Sequence, residues 1–142
     1  MKGRIFLFGR LTKALCFGLG FLLLPSALVA EPLQALSKIE LGLWDIRSTD
    51  ARDGGQTMCV ADPAVFLQLA HTGLACSRFP IENAPQAATV HYRCPSTGSG
   101  QTRLRVETPR LVQIETQGIV RNAPFSMTYE ARRLGPCAPP RK

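Results

Sequence analysis

Four cysteines, Cys59, Cys76, Cys94 and Cys137, are separated by gaps of 17, 18 and 43 residues. A structural metal site calls for close pairs such as CxxC, because two ligands must come from one turn. No CxxC is present, and neither His71 nor His91 stands at ligand spacing from a cysteine. An even set of cysteines in a small exported domain is instead the pattern of a disulfide framework. Four cysteines allow three connectivities. Sequential pairing, Cys59–Cys76 and Cys94–Cys137, is the preferred one: the first bond would close an excursion around a helix, and the second would tie the C-terminal tail to a strand. On the chain-entropy model such loops contribute on the order of 3 and 4 kcal/mol, so the bonds have a structural reason to exist without a redox role.

The other reactive side chains assemble into less. The segment STGSGQT at 96–102 is glycine-rich but lacks the lysine and helix of a phosphate loop, and reads as a hairpin tip. His71 falls in the last turn of a short helix, where a cation is mildly favoured. His91 lies on the polar face of a strand beside Arg93, where Arg103 and Arg105 of the next strand would make a small basic face; a solvated sheet surface is the simpler reading. Asp45, Asp50, Asp53 and Asp62 fall near turns and strand ends, where aspartate caps free amides. No catalytic, cofactor-binding or metal-ligating set is expected, and no cofactor.

The chain carries a formal charge of +7, which invites a nucleic-acid reading. Four of its 17 basic side chains, Lys2, Arg4, Arg10 and Lys13, lie in the first thirty residues, which hold no acid. The remainder has 13 bases against 10 acids, a net of +3, with no run of like charge. No nucleic-acid partner is expected. The first thirty residues have the order of a secretory signal: a basic start, an apolar stretch from Ala14 to Leu24, a break at Pro25-Ser26, then small residues to Ala30. Eleven apolar residues fall short of the roughly 20 that span a bilayer. Cleavage after Ala30 fits best, with Ala27 as the alternative. Cys16 belongs to the apolar stretch and leaves with it; Leu15 is too bulky for a lipobox. The mature product is expected in the periplasm or outside the cell, meeting the membrane only through the transient signal.

The elements that must carry the cysteines follow from period and punctuation. Residues 31–41 form a lead-in, either a short helix or a mobile segment. GLWDIRST from Gly42 opens as a strand, and residues 51–56 form a turn before a short strand at Thr57–Val60. Asp62-Pro63 starts a helix through Ala70, with Val65, Phe66 and Leu69 as its buried stripe, ended by Gly73. A strand then begins around Leu74, Cys76 and Arg78. TVHYRC, TRLRVET, LVQIETQ and FSMTYEAR each alternate apolar and polar residues, the signature of antiparallel strands with one wet face. The expected fold is mainly β: a curved antiparallel meander of about six strands, half-barrel or barrel-like, with one short helix. Residues 42–137 make this single domain, and 138–142 a disordered tail.

The order of features resembles a bacterial exported family, catalogued as domain of unknown function 3617. The matching residues are GLWD at 42–45, MCV at 58–60 before a short helix, Cys76, YRC at 92–94 and the closing ARRLGPC at 131–137. The resemblance spans about 40 to 137. It implies a periplasmic, disulfide-bonded, mainly antiparallel β domain and no established activity. The Met-, Gly- and Pro-rich hairpins of that family are reduced here.

Three functions are compatible with such a domain. The first is a non-enzymatic binding or envelope-associated module, holding a small apolar ligand on a concave face with Trp44, Phe125 or Tyr129 near the mouth. The second is an inhibitor or partner of an envelope protein. The third, least favoured, is an enzyme, which needs His71 or His91 beside a carboxylate in a polar cleft.

Overall fold

The computed structural model describes residues 31–49 and 55–138. The expected signal peptide with Cys16, Asp50 and Asp53, and the tail from residue 139 lie outside that range. Seven strands form one antiparallel sheet: β1 (Gly42–Ser48), β2 (Gln56–Val60), β3 (Ser77–Asn83), β4 (Ala87–Cys94), β5 (Gly98–Thr108), β6 (Leu111–Val120) and β7 (Ala123–Gly135). Their order across the sheet is β2-β1-β7-β6-β5-β4-β3. The mainly β expectation holds, with one strand more than the six read from period. Strands β3 to β7 are a meander. The chain's first hairpin joins it at the far side, with β1 paired to β7. The sheet is open, with β2 and β3 as its edges.

Alternation decides what each face carries. On one face Trp44, Ile46, Val90, Leu104, Ile114, Val112 and Ala131 are buried, and cross-strand partners match apolar with apolar, as in Ala88 opposite Leu104 and Leu104 opposite Ile114. This face is covered by a 3-10 helix, Pro63–His71, and by the lead-in with a single 3-10 turn at Leu36–Lys38. Asp62 caps the helix by accepting from the Ala64 amide at 2.9 Å, as its sequence position implies. Leu67 is as buried as Phe66, so the helix inserts more than the expected stripe. A break in helical geometry at Gln68 (φ −142°, ψ 44°) rotates the second half of the segment, where Leu69 and His71 are buried as well. The Gln68 side chain mends the break. Its amide donates to the His71 and Leu74 carbonyls, and its oxygen accepts two bonds from Arg78. Ala35 and Ile39 of the lead-in are also in the core.

The disulfides depart from the preferred pairing. Cys76 is bonded to Cys94 and Cys59 to Cys137, with Cα separations of 4.2 and 5.5 Å. Sheet register gives the reason. Ser77 pairs with Arg93, so Cys76 and Cys94 close the same end of the β3–β4 hairpin. Leu43 pairs with Cys59 on one side and Gly135 on the other, so the end of β7 reaches β2 across β1. A sequential Cys59–Cys76 bond would have to leave both of these strand ends.

Candidate functional site

Two groups of polar side chains stand out, one on each face of the sheet. The first is buried beneath the helix. His71, only 2% exposed, places Nδ1 3.2 Å from the Tyr92 hydroxyl. Tyr92 is hydrogen-bonded to Thr116, whose hydroxyl lies 2.8 Å from that of Thr102. Either partner can donate in the His71–Tyr92 and Thr102–Thr116 pairs, whereas the Thr116 contact, which favours the ionised tyrosine, donates to the Tyr92 oxygen. The ring's Nε2 has no partner among the described residues. It faces Gly98, at φ +143°, where an added Cβ would sit 3.1 Å from it and collide with the Ile119 carbonyl. Phe125 closes the pocket edge-on, its ring centroid 6.1 Å from that of His71. No carboxylate bonds to His71 among the described residues.

Burial pushes the Tyr92 hydroxyl above the ordinary tyrosine range, against the opposing effect of the Thr116 bond; Tyr129 adds a small upward contribution. Burial raises Tyr129 as well. A tyrosine whose ionisation is resisted by the fold contributes stability that is complete below the unfolded-state value and lost as pH rises through the folded one. Urea stability should therefore fall above about pH 10. Tyr92→Phe should cost about 1–3 kcal/mol at neutral pH by stranding His71 Nδ1, and should flatten that alkaline fall. Denaturation titrations between neutral and alkaline pH check both.

The second group lies on the wet face, and register lays it out in rows crossing the strands. One row is Phe79, His91, Gln101, Gln117 and Ser126; the next is Glu82, Thr89, Arg103, Glu115 and Thr128. Gln101, Gln117 and Ser126 of the first row, with the whole of the second, line a concavity of about 480 Å³. Thr89 donates to Glu82 at 2.8 Å. The side chains of Gln101, Arg103, Glu115 and Gln117 have no hydrogen bond or ion pair among the described residues, although Arg103 stands opposite Glu115 in register. The neighbouring part of the same face is different. There Asp45 holds Arg47 at 2.7 Å, Glu107 holds Arg105 at 2.6 Å, and Glu130 binds both Arg132 and Gln113. Arg132 and Gln113 hold the Glu130 carboxyl below the usual carboxylate range.

The residues singled out by sequence are thus dispersed. The two histidines sit on opposite faces, His71 in the buried chain and His91 tilted beside Phe79 at 6.4 Å. Arg93, Arg103 and Arg105 occupy three different rows, and Arg105 is paired with an acid, so they do not form one basic patch. Asp45 pairs with Arg47 instead of capping, whereas Asp62 caps as expected. Trp44, placed by sequence near the mouth of an apolar cavity, is fully buried against Phe66 at 5.2 Å. Gln101, Gln117 and Ser126 were not singled out by sequence; their signal is a shared phase on three strands, visible only once the register is known.

No family model, curated protein or solved structure matches this chain. The two disulfides fit an exported protein, and among the described residues no helix is long and apolar enough to cross a membrane.

Proposed function

We propose that the protein is a non-enzymatic binding module of the bacterial envelope, delivered to the periplasm or outside by its N-terminal signal, and that it binds a polar ligand in the wet-face concavity. The observation that carries this reading is the contrast across one sheet face. Asp45 and Arg47, Arg105 and Glu107, and Glu130 and Arg132 beyond the concavity are tied in pairs, whereas Gln101, Arg103, Glu115 and Gln117 within it have no side-chain partner among the described residues. Backbone ladders on both sides fix the spacing of these residues, and binding then has only their side-chain rotamers to order. The apolar ligand expected from sequence has less room, because Trp44, Phe66 and Leu67 fill the opposite face.

The test is a ligand-observed NMR screen of polar small molecules against the wild type and the Arg103→Ala and Gln117→Ala variants. Both positions are exposed, so the variants should fold. Hits are expected, and each substitution should weaken them about tenfold, the loss of one charge-assisted or well-placed hydrogen bond. Hits that ignore both substitutions would place binding elsewhere.

A further inference from the structure

The charges in the wet-face concavity narrow its ligand, on the reading that the concavity is a binding face. Its charged lining is Glu82, Arg103 and Glu115. Register sets them in one row: Glu82 opposite Thr89, Thr89 opposite Arg103, and Arg103 opposite Glu115. Arg103 and Glu115 are neighbours, yet neither has a side-chain partner among the described residues. Glu82 is positioned by Thr89, which is 9% exposed and donates to one of its carboxylate oxygens at 2.8 Å. The other oxygen has no partner among the described residues.

Two carboxylates and one guanidinium leave the concavity with an excess of one negative charge. A charge stripped of water without a partner is strongly unfavourable. An occupant that covers all three must therefore bring two cations and one anion. A neutral molecule leaves every charge unmatched, a dicarboxylate leaves the two acids, and a diamine leaves Arg103. Among the lining side chains only Met127 is apolar, so apolar surface adds little to binding.

Spacing narrows the choice further. Arg103 and Glu115 lie on adjacent strands, about 5 Å apart at the backbone. They suit two opposite charges carried on one carbon, the α-carboxylate and α-ammonium of an amino acid. Arginine takes a carboxylate in two parallel hydrogen bonds. Glu82 is two strands beyond Arg103, about 10 Å away at the backbone. The second cation must then stand at the end of a side chain several bonds long. A residue inside a peptide lacks both α-charges, so the amino acid must be free. The volume of about 480 Å³ lies in the ordinary range of small-molecule sites.

We infer that the concavity binds a free α-amino acid with a second, side-chain amine. Its carboxylate lies on Arg103, its α-ammonium on Glu115 and its side-chain ammonium on Glu82.

Calorimetric titration with L-lysine, L-norleucine, cadaverine and L-glutamate tests this. Norleucine lacks the side-chain amine of lysine, and cadaverine lacks its carboxylate. Lysine should bind about tenfold tighter than either, and glutamate more weakly still. Glu82→Gln should bring lysine down to the level of norleucine and leave norleucine binding unchanged, a shift in preference that misfolding does not mimic. Arg103→Gln, at an exposed position, should remove the advantage of lysine over cadaverine. The inference is overturned if lysine does not bind, if norleucine or cadaverine binds as tightly as lysine, or if both variants keep the wild-type preferences. Polar hits from the ligand screen that still depend on Arg103 or Gln117 would then leave the binding-face reading standing; their absence as well would remove both.

Discussion

A Cys59→Ser/Cys137→Ser double variant should lose about 4–5 kcal/mol of stability, since the bond closes a loop with a sequence separation of 78 residues. This is the larger of the two disulfide effects. Cys76–Cys94 spans 18 residues, and its removal should cost about 3 kcal/mol. Domains of this size hold on the order of 5–15 kcal/mol in all, so the first variant should be partly unfolded near body temperature. The bond does more than restrict the unfolded chain. It joins the edge strand β2 to the end of β7 across β1, and so holds the β1–β2 hairpin, which lies outside the β3–β7 meander. Urea titrations of the two double variants, read at the same pH, should give this ranking. Equal losses would mean that the β1–β2 hairpin is held by its pairing alone.

Trp44→Ala should cost about 3–5 kcal/mol, the range for emptying a fully buried large aromatic site. Trp44 has no exposed surface, meets Phe66 edge-to-face at 5.2 Å, and donates its indole N–H to the Glu40 carbonyl at 3.0 Å. The substitution therefore loosens three things together: the β1 face, the helix and the lead-in. Trp44→Phe keeps most of the volume and should recover more than half the loss. Trp44 is the only tryptophan in the chain, so its own emission reports on the wild type. That emission should be blue-shifted in the native protein and should move red in a single transition with urea.

The strands were legible because each of four segments keeps a strict period of two, and only one face of the sheet is covered. Val112 and Ile114 show this, flanked by Gln113 and Glu115. The helix start was legible in Asp62-Pro63. What the residues could not reveal was long-range pairing. Nothing local to Leu43 says that it will lie between Cys59 and Gly135, and that one fact decides which cysteines bond. The lead-in was hidden for a related reason, because Ala35 and Ile39 are buried by a helix and sheet distant in sequence. The wet-face site is the extreme case. Gln101, Gln117 and Ser126 each look like an ordinary solvent-facing residue, and only the sheet register puts them in one row. His71 differs again: the end of a short helix suggested a solvated cation, but the break at Gln68 turns it inward to Tyr92.

The most direct test of a ligand site on the wet face is to map amide chemical shifts while titrating the tightest polar ligand found. The shifts should concentrate at Gln101, Arg103, Glu115, Gln117 and Ser126, and the Trp44 emission on the other side of the sheet should stay unchanged. Shifts centred on the helix Pro63–His71, with a change in Trp44 emission, would contradict it.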